Sequence, residues 1–387
     1  MPFYHKLGNI PHKRHTQFKK EDGALYREEV MGLDGFSGIQ SILYHHFLPP
    51  RVLKTEDFGS TKPEYAEFGA IRHRALKTGE LPTGGDPVSA KVPMMGNDDV
   101  VLSLSVPDQS MDYYYRNAQA YECYFVHEGK GTLNSQFGSL DFVSGDYIVI
   151  PFGTTWKMDL DGPARFFVIE TPSQIEAPKR YRNNYGQMLE HAPYCERDIR
   201  LPENLETNTS RGEFEVRVKV RDNLSRHILD YHPLDVVGWD GFLYPWIFSI
   251  HDFEPITGRL HMPPPIHQTF AARNFVVCSF VPRLFDYHPE GIPAPYNHSN
   301  VNSDEMIYYC DGNFMSRKGI DWADITLYPF GLPHGPQPGA TEASIGKEST
   351  NELAVMVDTF HPMNLTKQAL EIEKKDYQAS WLEGDGN

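Results

Sequence analysis

Two short patterns recur in this chain, each carrying side chains that could do chemistry. Glu122 is followed by six residues and then Gly129, and Glu305 by six residues and then Gly312. Downstream of the first comes Pro151-Phe152-Gly153-Thr154-Thr155-Trp156; downstream of the second comes Pro329-Phe330-Gly331-Leu332-Pro333-His334. Carboxylate and imidazole groups hold transition metals or move protons. The second copy ends in an imidazole and has another, His298, just ahead of its glutamate. A lone histidine among 17 is more often a plain core or surface residue. A glutamate, two glycines and a proline repeated in one order are a far more specific signal.

Such residues need elements to position them. Thirty prolines and 31 glycines punctuate short runs such as YECYFVHEG, SLDFVSGDYIVIPFG, FEVRVKV, NFVVCSFVP and DEMIYYCDG. Rich in β-branched and aromatic residues and bounded by turn formers, these predict an all-β sandwich or barrel. Two copies of a small β-barrel explain the repeat economically. The expected division is an N-terminal domain over 1–190 and a C-terminal domain over 191–387. Helical periodicity is convincing only over Leu365–Lys375, ahead of a polar tail, Glu383–Asn387.

The paired elements resemble the two cupin motifs, H-x-H-x(3,4)-E-x6-G and P-x-G-x2-H. The second copy reads His298-x-Asn300-x4-Glu305-x6-Gly312 and then Pro329-x-Gly331-x2-His334. The first has Tyr115 and Asn117 where the histidines should be, and Trp156 in place of the last one. The resemblance therefore implies an all-β bicupin with a few short helices, whose N-terminal barrel has lost its metal ligands. Strand side chains alternate faces, so in this pattern His298, Glu305 and His334 converge inside the second barrel. Two histidines and one carboxylate leave coordination positions open, which suits a non-haem Fe(II) oxygenase. Asn300, in place of a fourth ligand, fits a three-ligand site. Asp304 competes with Glu305, and the spacing to Gly312 favours Glu305.

The surrounding text narrows the family. Pro295-Tyr296-Asn297-His298-Ser299-Asn300 with Ser303-Asp304-Glu305, and Leu332-Pro333-His334-Gly335-Pro336, resemble segments of the homogentisate 1,2-dioxygenases. The opening, Tyr4 to Pro11 and Lys13 to Phe18, is similar to the short bacterial branch of that family. The resemblance implies an extradiol-type dioxygenase that opens a 1,4-dihydroxy aromatic acid with both atoms of O2, as from homogentisate to maleylacetoacetate in tyrosine and phenylalanine catabolism. It also implies a histidine that takes the substrate's phenolic proton. His267 occupies the matching place, and an ordinary imidazole pKa near 6.5 suits that task. His261 and His288 are weaker matches, and a solvent-facing loop histidine after Pro263-Pro264-Pro265 is the plainer alternative. Two departures bear on the ring substituent. The family usually has a histidine where this chain has Tyr328 and a substrate-contacting tyrosine where it has Phe314. Tyr328 can donate a hydrogen bond and Phe314 cannot; with Asn300 they are expected to line the substrate. Arg273, Arg283 and Arg317 are candidates for its acid arm. Gentisate, hydroquinone or another diphenol stays open as substrate, and so does an O2-independent metal cupin isomerase or lyase.

Composition bounds the rest. The 387 residues carry a formal net charge of −16, which repels a polyanion and argues against a nucleic-acid partner. No stretch approaches the roughly 18 apolar residues of a membrane helix, and the start lacks the apolar region of a secretory signal. Cys123, Cys195, Cys278 and Cys310 are too sparse for a disulfide framework and predict a reducing cytoplasm. The family resemblance implies a homo-oligomer, a trimer or hexamer.

Overall fold

The computed structural model describes residues 3–67, 69–312, 314, 317 and 319–382; the tail Glu383–Asn387 lies outside them. The β-branched and aromatic runs form strands: Tyr121–Glu128, Gly138–Val143 with Asp146–Ile150, Arg211–Val220, Phe275–Phe280 and Asp304–Asp311. The all-β class is the one found. The α-helices among the described residues are two of five residues each, Ala340–Ser344 and Lys367–Glu371.

The helix expected over Leu365–Lys375 is thus cut to less than half. Leu365 is drawn into strand pairing with Met95, and Glu373 bridges to Leu76. Between them Thr366 caps the one short turn, accepting from the Ala369 N–H at 3.1 Å. Strand pairing outside the window overrode its local periodicity.

The C-terminal strands form a six-stranded sheet in the order Gln268–Ala272, Phe275–Phe280, Leu353–Thr359, Asp304–Asp311, Ile325–Tyr328, Arg74–Leu76. Period-two alternation gives it two distinct faces. Met306, Tyr308 and Cys310, with Val355, Val357, Ile325 and Leu327, enter the main hydrophobic core. There Tyr308 stacks on Phe167 at 5.1 Å, and the Tyr147 hydroxyl bonds Ser279 at 2.9 Å, joining this sheet to an eight-stranded one. The opposite face carries Ile307, Tyr309, Tyr328, Met356 and Cys278, a separate cluster. Glu305 belongs to that second face.

The eight-stranded sheet includes Tyr121–Glu128, Arg165–Thr171, Val101–Ser105 and Lys91–Gly96. With a seven-stranded sheet that includes Tyr114–Asn117, Thr155–Leu160 and Arg211–Val220, it encloses a core built on Tyr115, Tyr124 and Trp156. The expected division at 190/191 precedes a set of strands, Arg211–Val220 through Trp246–Ser249, that pair with N-terminal partners. The exchange runs the other way as well. Arg74–Leu76 edges the C-terminal sheet, and Asn364–Leu365 edges the eight-stranded one.

The repeat has a backbone basis. Each repeat glutamate is the second residue of its strand, and each following glycine turns in the left-handed region, Gly129 at φ 97° and Gly312 at φ 88°. Gly153 and Gly331 share φ 69°.

A buried triad ties the N-terminal strand Gln40–His45 to Val236–Gly241. His45 bonds Asp235 at 2.7 Å and Glu29 at 2.9 Å. Burial alone would lower its pKa, but the two carboxylates outweigh that and raise it to about 9. A raised folded-state pKa gives stability that is full below 6.5 and is lost as pH rises through about 9. Unfolding free energy should therefore decline across that window in the parent, whereas His45→Gln should show a flatter profile by urea titration. Parallel profiles would mean the triad does not set the alkaline limit.

Candidate metal centre

Glu305 opens the strand Asp304–Asp311, at the centre of the sheet. His298 and His334 lie on two loops that pair with each other: each donates its backbone N–H to the other's carbonyl, at 2.8 and 2.9 Å. That bridge holds the two rings 4.3 Å apart between centroids. The Nε2 atoms of His298 and His334 stand 3.5 and 3.3 Å from the same Glu305 oxygen, and the three ligand atoms lie within 4.8 Å of one another.

Three further observations fit a metal there. Each ring's Nδ1 faces a carbonyl two residues back, Tyr296 at 3.0 Å and Leu332 at 3.3 Å, which turns Nε2 toward the cluster. His334 Nε2 is buried without a hydrogen-bond partner. Burial would raise the Glu305 pKa, yet the two imidazoles bring it down to about 2, so the carboxylate is ionised. Glu305 and His334 are buried and His298 is partly exposed, so the approach to the site is on the His298 side.

Asp304, the rival ligand, is used otherwise. Its two oxygens accept the Phe330 and Met363 N–H groups, both at 2.7 Å, anchoring the loop that leads to His334. Asp304→Asn removes one of those acceptors and should cost about 1–3 kcal/mol, read as a lower urea midpoint. An unchanged midpoint would show that the loop is held by other contacts.

Several neighbours were not legible in the sequence. Asp358 sits directly opposite Glu305 on the adjacent strand, with Oδ1 buried and unpartnered. Burial, reinforced by the Glu305 charge, raises its pKa well above the carboxylate range. His73 arrives from the N-terminal edge strand, its ring 6.0 Å from that of His334 and its Nε2 3.0 Å from the Pro333 carbonyl. An acid inside the apolar run LAVMVDT was the signal available for Asp358. His73 had none.

Residues 91–250 match the family model described as Homogentisate 1,2-dioxygenase N-terminal. A candidate dioxygenase of Saccharolobus solfataricus is 45% identical, over 98% of this chain and 99% of its own length. The chain belongs to one dioxygenase family with that relative. The homogentisate 1,2-dioxygenase of Bradyrhizobium diazoefficiens is 26% identical over 70% of this chain, and the match spans only 63% of that relative's length. A cupin 2 conserved barrel domain protein from Leptotrichia buccalis superposes with a TM-score of 0.34 at 10% identity, over 78% of this chain and 99% of its own.

Against the family's usual pattern, Tyr328 stacks on His334, 4.4 Å between centroids and 8° from parallel, and its hydroxyl is engaged with Tyr377 at 2.7 Å. Its hydrogen-bonding capacity is thus already in use. Phe314 meets Tyr309 edge-on in the inner cluster. The Asn300 carbonyl accepts from Gly331 at 3.4 Å, tying the two ligand loops. His267 is buried rather than solvent-facing, its ring packed on Phe280, with Nδ1 unpartnered. The expected pKa near 6.5 is corrected. Burial, with the Arg283 cation adding, pushes it down to about 3. Among the described residues, His267 makes no hydrogen bond or ring contact with the three candidate ligands. His261 lies near Asp286 at 3.8 Å, and the His288 ring accepts from Glu290 N–H; neither joins the cluster. Of the three arginines, Arg317 lies closest to the centre, its guanidinium 5.0 Å above the Tyr328 ring, while Arg283 pairs with Glu352 at 2.9 Å.

Proposed function

We propose that this chain is an Fe(II)-dependent, ring-cleaving dioxygenase for a 1,4-dihydroxy aromatic acid, homogentisate being the type case, in aromatic amino-acid catabolism. The observation that carries this reading is the convergence of His298, Glu305 and His334 on one point of a sheet's inner face. Two imidazoles and one carboxylate are the donor set suited to Fe(II) with positions left open. Fe(II) held there supplies a Lewis acid for a ring hydroxyl and an electron path between an electron-rich ring and O2.

The chain's own residues do the remainder. Glu305 contributes one negative charge, leaving room for an anionic phenolate. His267 is neutral at any working pH and can accept a hydrogen bond from the ring hydroxyl; held at about 3 it is a weak base, so taking the proton requires its pKa to rise when substrate enters. Arg317, beside Tyr328, is the cation placed to receive the acid arm. Tyr328 and Phe314 wall the ring, and the apolar inner cluster excludes water.

The test is anaerobic reconstitution with Fe(II), metal analysis, and oxygen uptake on a panel of homogentisate, gentisate and hydroquinone. One iron per chain and uptake matched to homogentisate consumption are expected. Turnover confined to another diphenol would move the substrate, and activity without O2 would replace the dioxygenase reading by an isomerase or lyase.

A further inference from the structure

The residue that faces the glutamate differs between the two copies of the repeat. Ile150 stands opposite Glu122 on the neighbouring strand, and Tyr328 stands opposite Glu305. In the first copy Lys91 Nζ meets Glu122 at 2.8 Å, Lys219 pairs with Glu170, and Trp156 takes the place of the last imidazole. The second copy keeps that imidazole, His334, and lays the Tyr328 ring against it.

His334 is the less firmly held of the two candidate imidazoles. His298 Nδ1 meets the Tyr296 carbonyl at 3.0 Å, whereas His334 Nδ1 reaches the Leu332 carbonyl only at 3.3 Å. A long bond at one nitrogen and none at Nε2 leave the plane of the His334 ring to packing. The flat face it lies on is Tyr328, 4.4 Å away and 8° from parallel; His298 and His73 meet it edge-on. Tyr328 is fixed in turn from outside its own sheet. Its hydroxyl shares a hydrogen bond with the Tyr377 hydroxyl at 2.7 Å, and both rings belong to the apolar inner cluster. Tyr377 opens the short turn Tyr377–Trp381, whose Ser380 Oγ accepts from Gln337, three residues past His334, at 2.6 Å. The root of that turn is pinned, with Glu373 on Arg72 and Arg74 and Lys374 on Asp324.

We propose that Tyr377 is a positioning residue of the metal centre: by holding the Tyr328 hydroxyl it fixes the ring on which His334 lies, and with it the direction of His334 Nε2. The inference rests on the metal reading and is independent of which ring is the substrate. Outer groups that orient a ligand are worth about 10- to 100-fold in metal affinity. Here that group comes from the last turn of the chain, 43 positions after His334.

The test is Co(II) binding to the metal-free full chain, read by the visible absorption of the bound ion and its release to a chelator. Thermal denaturation of the metal-free chain is measured alongside. Tyr377→Phe keeps the ring and removes only the hydroxyl. It should weaken Co(II) binding by about 10-fold or more, speed release, and shift the absorption band. Tyr328→Phe should do the same, and the double variant should be no worse than either single one, because all three lose the same bond. Lower thermal stability with parent-like Co(II) affinity and absorption would reduce Tyr377 to a fold contact and overturn the proposal. Losses that multiply in the double variant would show that the two hydroxyls act separately, which overturns it as well. If Tyr377→Phe fails to fold, Tyr328→Phe decides alone, and parent-like binding there overturns the proposal. A parent that binds no Co(II), or binding that survives His334→Ala, would instead overturn the metal reading on which it rests.

Discussion

His334→Ala will leave a folded chain that holds no metal and consumes no oxygen. His334 lies on a loop, and its ring packs on Tyr328 at the inner face rather than in the main core. Its bridge to His298 is made by backbone atoms and survives the substitution. What disappears is a buried Nε2 with no partner but the cluster it faces. Groups that merely orient a ligand are worth about 10- to 100-fold in metal affinity, so loss of a ligand should exceed about 100-fold. Glu305→Ala should do the same and also remove the one negative charge that offsets the metal. The check is metal content after Fe(II) reconstitution, alongside far-UV circular dichroism. A variant that retains one iron per chain with a native spectrum would strike that residue from the ligand set.

The second large effect concerns proton transfer. His267→Ala should keep its iron and lose about 10²–10⁴-fold in kcat, the usual range for general acid–base catalysis. Because the imidazole is held down to about 3, the acid limb of the parent's kcat profile should lie well below the 6.5 of a free histidine. A limb near 6.5 would show that His267 becomes hydrated when substrate enters. A loss below about fivefold would mean that its buried ring only packs on Phe280.

The three candidate ligands were readable because their spacing is local: a glutamate opening a strand, a glycine closing it, a histidine on the next loop. Their environment was not. Asp358 meets Glu305 through a register between distant strands, and His73 comes from 225 positions ahead of His298. The pKa of His267 depends on burial that a proline-rich segment does not announce. Lys91 reaches Glu122 across 31 positions. For the same reason the loss of imidazoles at Tyr115, Asn117 and Trp156 was visible, while the ammonium groups that stand beside Glu122 and Glu170 were not.

The exchanged edge strands set how the molecule comes apart. Arg74–Leu76 finishes the sheet that bears Glu305, and Asn364–Leu365 finishes the sheet that bears Glu122. Neither half of the polypeptide contains all the strands of its own sheet. During synthesis the first half must wait for residues near the C-terminus to close its edge. A gene split near the middle would yield two pieces that each display an open ladder, prone to pair with whatever strand is at hand. Thermal denaturation should accordingly appear as one transition, with the two halves lost together.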